Sequence, residues 1–323
     1  MNIVYNTLIL GAGISGLTCS IFCGRANLSH LVFTDKKCET ASMISNSSII
    51  ENFPSHETIE GKELIKRIKK QAVKYGAIIV QKCITKVDFS SKPFKVYTND
   101  GSIFQGSSVV VATGSVPNRL NLENEDKLWG KYISSNVLSD ANLFKNKRLV
   151  IYGGSDTSLE GAIMLTKFSN KVTLIHRRNT FRASVVMQKK VLKNPKIKVI
   201  TDNTIIKLNI DAHDKLISVI CKNCKTGEET ELKVDALFYG LGFRPNNELF
   251  KDILELDQNG YIKINKSDHF QTATNIEGVF ACGDITDSSI AKLAVVAASS
   301  GVEAALDVNR LLHELHIVED EEF

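Results

Sequence analysis

The sequence predicts an α/β protein built from two parallel-sheet units, and three observations predict it. A glycine turn separates an apolar run from a helical segment at Leu8-Ile9-Leu10-Gly11-Ala12-Gly13-Ile14-Ser15-Gly16-Leu17. A second turn of the same kind, Leu149-Val150-Ile151-Tyr152-Gly153-Gly154-Ser155-Asp156-Thr157-Ser158, follows about 140 residues later, one domain length on. After each helix comes a further β-rich run at short spacing, the order that gives parallel strands and a right-handed crossover. Strand, glycine turn and helix form the Rossmann-like pattern for dinucleotides. Two of them in one chain point to one cofactor handing electrons to another.

The elements follow in order. A strand from Asn6 to Leu10 leads through the first turn to a helix from Ile14 to Arg25 and a strand from Leu31 to Thr34. Residues 62–75 are rich in helix formers, with Leu64, Ile65, Ile68, Ala72 and Tyr75 near helical spacing. From Ile78 to Val111 short β-rich runs are broken by turn residues such as Asn99-Asp100-Gly101, and Ser108 to Gly114 reads as a buried strand entering a tight loop. Beyond Pro117 a polar stretch reaches Lys147. The second unit then gives a helix from Ser158 to Phe168 and a strand from Lys171 to Ile175. A hairpin follows, with strands near 216–223 and 230–234 around Lys225-Thr226-Gly227-Glu228. Ala236 to Gly242 and Gly278 to Asp284 are buried strands with glycine exits, and a helix from Ala291 to Leu312 closes the chain.

Composition bounds the function. The 323 residues suffice for two ordinary cores. The net charge of +4 is spread, Lys and Arg interleaved with Asp and Glu, which argues against a nucleic-acid footprint. No run approaches the roughly 18 apolar residues of a membrane span. Met1 to Asn6 leave no room for a signal or transit peptide, and seven cysteines show no disulfide framework, so a cytoplasmic enzyme is expected. Glu319-Asp320-Glu321-Glu322 reads as a solvated tail.

In the first turn Gly11 allows the sharp bend, Gly13 lets backbone approach a pyrophosphate, and Gly16 lets the helix pack on the strand. The helix N-terminus offers its N–H groups and dipole to the phosphates, and Asp35, at the end of the second strand, is placed to accept a ribose hydroxyl. The second turn departs from this pattern. Ser155 stands where the middle glycine would meet the phosphate, with a Cβ that crowds it or demands an unfavourable backbone angle, and Ser158 replaces the small third residue. Yet the next strand ends in His176-Arg177-Arg178, with Arg182 beyond. Guanidinium groups there suit a 2′-phosphate, favouring NADPH over NADH; the other reading is a solvated basic turn.

From Leu8 to about Leu312 the chain resembles the low-molecular-weight thioredoxin reductases. The resemblance rests on Gly11-x-Gly13-x-x-Gly16, Ile50-Glu51-Asn52-Phe53-Pro54, Ala112-Thr113-Gly114, His176-Arg177-Arg178-x-x-Phe181-Arg182-Ala183, Gly242-Phe243-Arg244-Pro245-Asn246 and Gly278-Val279-Phe280-Ala281-Cys282-Gly283-Asp284. It implies two Rossmann-like three-layer dinucleotide-binding domains, the second inserted into the first: an FAD domain over 1–117 and 247–323 and an NAD(P)H domain over 118–246. By position Gly11, Gly13, Gly16, Asn52, Thr113, Gly283 and Asp284 would serve FAD, with Asp284 bonding the ribityl or ribose chain. Gly153, Gly154, Ser155, Asp156, Thr157, Ser158, His176, Arg177, Arg178 and Arg182 would serve NADPH. The resemblance also implies a homodimer whose domains move against each other to alternate hydride delivery with disulfide exchange.

Three departures stand out. Counting back from Asn146-Lys147, the family's redox Cys-x-x-Cys falls on Asn136-Val137-Leu138-Ser139, with neither sulfur present; Asp140 matches the acid beside that dithiol. Two flavin-lining segments are altered as well, to Ala41-Ser42-Met43-Ile44 and to Lys292-Leu293-Ala294. Cys221-Lys222-Asn223-Cys224 is the one Cys-x-x-Cys. It lies on a predicted strand, where residues three apart face opposite sides; a redox or metal role is the alternative to a structural one. A metal site would need two further ligands in a matching pair, which the sequence lacks. Cys19, Cys23 and Cys282 read as core. The expectation is a reductase passing electrons from flavin directly to a ferredoxin- or flavodoxin-type protein, a quinone or oxygen. A regulatory flavoprotein without turnover and a thioredoxin reductase using other cysteines are the alternatives.

Overall fold

The computed structural model describes residues 3–35, 44, 50–289 and 292–318. The chain divides into two compact units, Met1–Val116 with Arg244–Phe323, and Pro117–Phe243. These crossings fall one and three residues ahead of the sequence-read boundaries.

The first unit opens with β1 (Val4–Leu10), α1 (Ile14–Arg25), β2 (His30–Thr34), α2 (Gly61–Lys74) and β3 (Ile78–Gln81), followed by β4 (Ile84–Asp88), β5 (Phe94–Thr98) and β6 (Ile103–Val111). β1 lies between β2 and β6, parallel to both, and β3 extends the parallel run beside β2. β4 and β5 form an antiparallel meander off the first half of β6. Side chains alternate across this sheet with the period of two that extended chain imposes. Leu8, Leu10, Val109 and Val111 face the core beneath the meander, while Ile9 and Val110 face the helices. α2 turns Leu64, Ile68 and Ala72 inward at four-residue spacing, whereas Ile65 and Tyr75 pack at the edge.

The chain leaves through β7 (Ser115–Pro117) and builds the second unit: α3 (Glu125–Leu128), β8 (Ile133–Ser134), α4 (Val137–Asp140), β9 (Leu149–Gly153), α5 (Asp156–Leu165), β10 (Val172–Ile175), α6 (Val185–Leu192), β11 (Ile197–Ile200), β12 (Asn203–Ile210), β13 (Leu216–Asn223), β14 (Glu229–Lys233) and β15 (Ala236–Gly240). Its parallel sheet has the order β11-β10-β9-β15-β8. The antiparallel sheet β12-β13-β14 supplies Ile205, Leu208, Leu216 and Val219 to the core on one face, and α5 and α6 supply Leu159, Ala162, Leu165 and Val191 to the core on the other. β16 (Phe243–Pro245) pairs with β7 on the way back. β17 (Val279–Ala281) then joins the second half of β6, and α7 (Ala294–Glu314) packs on α1 to complete the first unit. Both units are Rossmann-like, each with its parallel sheet as the middle of three layers.

Some bounds differ from expectation. α5 starts at Asp156 because Ser155 takes the N-cap position, and it ends at Leu165, where Thr166 and Phe168 turn to shorter bonds on Ile163 and Leu165. α7 begins at Ala294, three residues after the expected Ala291, which lies outside the described residues. β11, β12 and α6 add to what the periodicity indicated. Among the described residues no helix is long and apolar enough to cross a membrane.

α7 is tied down by one buried carboxylate. Asp307 is 2% exposed and accepts from Gln271 N at 2.8 Å and from Thr272 N and Oγ1, each at 2.7 Å. Asp307→Ala leaves those donors buried without an acceptor, and the expected loss is about 3 kcal/mol, with a smaller loss for Asp307→Asn. Urea unfolding midpoints of the two variants check this.

Candidate functional site

In the first unit the site is made by backbone. Gly11 leaves β1 with φ +123°, and a Cβ there would enter the carbonyl oxygen of Ala112. A Cβ on Gly16 would enter the carbonyl oxygen of Gly11, so α1 reaches the turn only because that position has none. Gly13 is different: a Cβ on it would meet nothing within 4 Å, and the same holds at Gly114. Open space therefore flanks the start of α1, whose N-cap carries no side-chain hydrogen bond. The N–H groups of the first helical turn face that space, an arrangement that fits a pyrophosphate.

The other residues expected to serve FAD differ in their surroundings. Phe33 pairs with Leu10, which sets Asp35, just after β2, level with the glycine turn. Gly283 donates its N–H to Ser300 Oγ at 2.8 Å and packs against the side chain of Ser15. Asp284 accepts from Ser289 Oγ at 2.9 Å; burial pushes its carboxyl up, opposed by the Lys292 ammonium. Lys292 Nζ donates to the backbone oxygen of Asp284 at 3.1 Å and lies 4.5 Å over the Tyr261 ring. Thr113 is less available. Its hydroxyl donates to Asn246 O at 2.9 Å while Asn246 Nδ2 donates to Thr113 O at 2.8 Å, a clamp with no signal in the sequence pattern. Asn52 lies in the exposed loop closed by the Ile50–Ile59 bridge. Ala41 to Met43 lie outside the described residues; Ile44 packs on the helix-side core.

In the second unit the anticipated strain at Ser155 is absent: its φ is −90°, ordinary for any L-residue. Ser158 corrects a further expectation. It is fully buried and donates to Gly240 O at 2.8 Å, so its hydroxyl joins α5 to β15 and does not face a ligand. Gly153 and Gly240 leave the room its side chain fills. Asp156 accepts from Ser184 N and Oγ at 3.0 and 2.8 Å, which holds its carboxyl below the usual range. Thr157 is exposed.

His176, expected to serve NADPH, is largely engaged by its own surroundings. Its ring lies against Gly154 and stacks on Phe181 at 5.1 Å, and Nε2–H donates to Thr180 O at 3.1 Å. Burial, reinforced by Arg177, Arg178 and Arg182, lowers its pKa and keeps it neutral. Gly154 O accepts from Arg182 N at 2.9 Å, which fixes the basic segment beside the turn. The three arginines around His176 are exposed, with no side-chain partner among the described residues. Free guanidinium groups at the exit of β10 fit a phosphate.

The Asn136–Asp140 segment is a polar knot. Asn136 Oδ1 accepts from Ser139 N at 3.2 Å and caps α4, Asn136 N donates to Ser134 Oγ at 2.9 Å, and Ser134 Oγ donates to Asp140 Oδ2 at 2.6 Å. Burial pushes the Asp140 carboxyl up. The cysteines lie elsewhere. Cys221 is buried on β13, where burial pushes its thiol up to about 11, while Cys224 is exposed and donates its N–H to Asp202 O at 2.7 Å. Cys19 and Cys23 hold their sulfurs 3.9 Å apart inside the core, the contact with Cys23 and burial raising the Cys19 thiol. Burial raises Cys282 to about 12. Such thiols are poor nucleophiles. Among the described residues no three His, Cys, Asp or Glu side chains converge as a metal would need.

Residues 5–321 match the family model of the pyridine nucleotide-disulphide oxidoreductases. The chain belongs to that family. It is 37% identical over 320 residues to a thioredoxin reductase of Dictyostelium discoideum, covering 97% of this chain and 98% of the relative. The thioredoxin reductase of Streptomyces coelicolor is 36% identical, with 98% and 96% covered. Among solved structures, the thioredoxin reductase of Giardia duodenalis superposes with a TM-score of 0.87 at 36% identity over 95% of this chain and 98% of that one. These likenesses place this oxidoreductase with the low-molecular-weight thioredoxin reductases, as an NAD(P)H-dependent flavoprotein using FAD and NADPH.

Two outcomes follow for the oxidoreductase. Arg177→Ala with Arg178→Ala should raise KM for NADPH strongly and KM for NADH little, since each charged phosphate contact is worth about 1.5–3 kcal/mol; steady-state kinetics with both cofactors decides it. Burial holds the native pKa of His176 below the ordinary imidazole value of 6.5, so its contribution to stability is complete above that pH. It is lost as pH falls toward the native value, because the unfolded chain takes the proton first. The stability difference between wild type and His176→Asn should therefore shrink as pH falls from 7.5 to 5.5, measured by urea denaturation.

Proposed function

We propose that this flavoprotein passes electrons from FAD straight to an acceptor, a ferredoxin- or flavodoxin-type protein, a quinone or oxygen, with no sulfur relay between. The observation that carries this reading is the knot at Ser134, Asn136, Ser139 and Asp140. Where the family resemblance expects a dithiol, this chain has an amide and a hydroxyl, neither of which forms a disulfide. Asn136 works as a helix cap there.

Bound NADPH supplies a hydride, and bound FAD the capacity to take it up and release electrons. The chain's own residues hold and orient these groups. The N–H groups after Gly13 hold the FAD pyrophosphate, Asp35 accepts from a ribose hydroxyl, and Asp284 accepts from the sugar chain, joined by Gly11, Gly16, Asn52, Thr113 and Gly283. Gly153, Gly154, Ser155, Asp156, Thr157 and the N–H of Ser158 shape the second turn; Arg177, Arg178 and Arg182 hold the 2′-phosphate, with His176 as the neutral support beneath. On this reading residues 1–117 and 247–323 carry FAD and 118–246 carry NAD(P)H, in a homodimer as the resemblance implies.

A second reading has one support: the relatives at 36–37% identity are named thioredoxin reductases. It would need other cysteines as the dithiol, and Cys221 and Cys224 are the pair with the Cys-x-x-Cys spacing. Anaerobic titration separates the two. Flavin bleaching should be complete at one equivalent of NADPH per FAD, and reduction of quinone or oxygen should survive Cys221→Ser with Cys224→Ser. Uptake of a second equivalent that this double variant abolishes, together with reduction of thioredoxin, would overturn the direct route. A flavin band unmoved by NADPH would leave a regulatory flavoprotein.

A further inference from the structure

β9, β10 and β11 lie side by side, and the residue before each is a cation: Arg148, Lys171 and Lys196. Leu149 N donates to Lys171 O at 2.9 Å and Val172 N to Lys196 O at 3.2 Å, so the three strand starts are level. Lys198 on β11 and Lys233 at the end of β14 join them, and the five line one cleft of about 320 Å³ that no carboxylate lines. Asp235 neutralises Arg148 alone, through Nε at 3.0 Å and Nη2 at 2.7 Å, and Lys196 Nζ donates to Thr166 O at 3.2 Å. Lys171, Lys198 and Lys233 are exposed, their ammonium groups without a partner among the described residues.

The cleft is separate from the cofactor turn. Gly154, Arg177 and Arg178 lie past the finishing ends of β9 and β10, and the cleft sits at their starting ends, about 15 Å away along a strand. Like charges gathered at one edge destabilise a fold unless a counter-ion sits among them. The cleft is open on one side, so its charge and not enclosure selects the ligand. Lysine ammonium groups suit phosphate oxygens as point charges, and Asn170 adds an amide to the lining. We propose that this cleft is a binding site for a small oligophosphate, a di- or triphosphate group, distinct from the NADPH site. The inference is independent of how electrons leave the flavin.

Inorganic tripolyphosphate is the probe, used on the full-length holoenzyme at low salt with sodium chloride matched for ionic strength. It should raise Tm saturably, and it should protect Lys171, Lys198 and Lys233 from acetylation in the wild-type protein, read by mass spectrometry. The variant K171Q/K198Q/K233Q should be no less stable than wild type without the anion and bind it about tenfold more weakly or worse. R177A/R178A should keep the response. A response lost in R177A/R178A and kept in the triple variant would move the anion to the cofactor turn and overturn the proposal. Stabilisation no greater than matched chloride, with the three lysines acetylated equally with and without tripolyphosphate, would also overturn it.

Discussion

At each glycine turn a helix must begin within van der Waals contact of the strand that precedes it, and the rest of both units is arranged around that close approach. In the first unit it is met by subtraction: Gly11 and Gly16 have no Cβ, so carbonyl oxygens occupy the space where side chains would be. In the second it is met by filling. Ser158 pushes a hydroxyl into the gap that Gly153 and Gly240 leave and bonds the carbonyl of Gly240, so helix and sheet are held by a hydrogen bond as well as by contact. The same architecture thus tolerates a larger residue, provided that a neighbour gives up its own side chain.

Charge is distributed with equal economy. The first cradle has an uncapped helix start with acids, Asp35 and Asp284, nearby, and the second has free arginines over a neutral histidine. Neutrality of His176 matters because its ring touches Gly154, the residue whose carbonyl fixes the basic segment. The thiols follow another rule. Burial holds Cys221 and Cys282 in their protonated form, and the contact with Cys23 together with burial does the same for Cys19, which suits packing and opposes nucleophilic use. Asp140 is likewise held by burial, beside a serine hydroxyl and no sulfur.

Both turns, their helices and most parallel strands were legible because glycine spacing and apolar runs report backbone requirements directly. The arginine cluster was legible as charge at a strand exit. What escaped depended on partners distant in sequence. Ser155 looked strained, yet as an N-cap it takes ordinary angles. Ser158 and His176 looked like ligand residues, yet Gly240, 82 positions away, and the Thr180–Phe181 segment engage them. The Thr113–Asn246 clamp joins residues 133 apart and leaves no local pattern. β11 and β12 escape the pattern because Lys198 interrupts the apolar run of one and Lys207 and Asn209 that of the other.

β17 and α7 complete the sheet and the helix layer around Gly11, although they are encoded more than 260 residues downstream. On the ribosome, the inserted unit has all its strands before this edge emerges. Its folding can therefore run ahead, as domains commonly fold as units during synthesis. The cradle at Gly11 is translated ahead of the inserted unit and finished after it. Until then its apolar face on α1 lacks the covering that α7 provides, and a chain that stopped before α7 would leave that face bare.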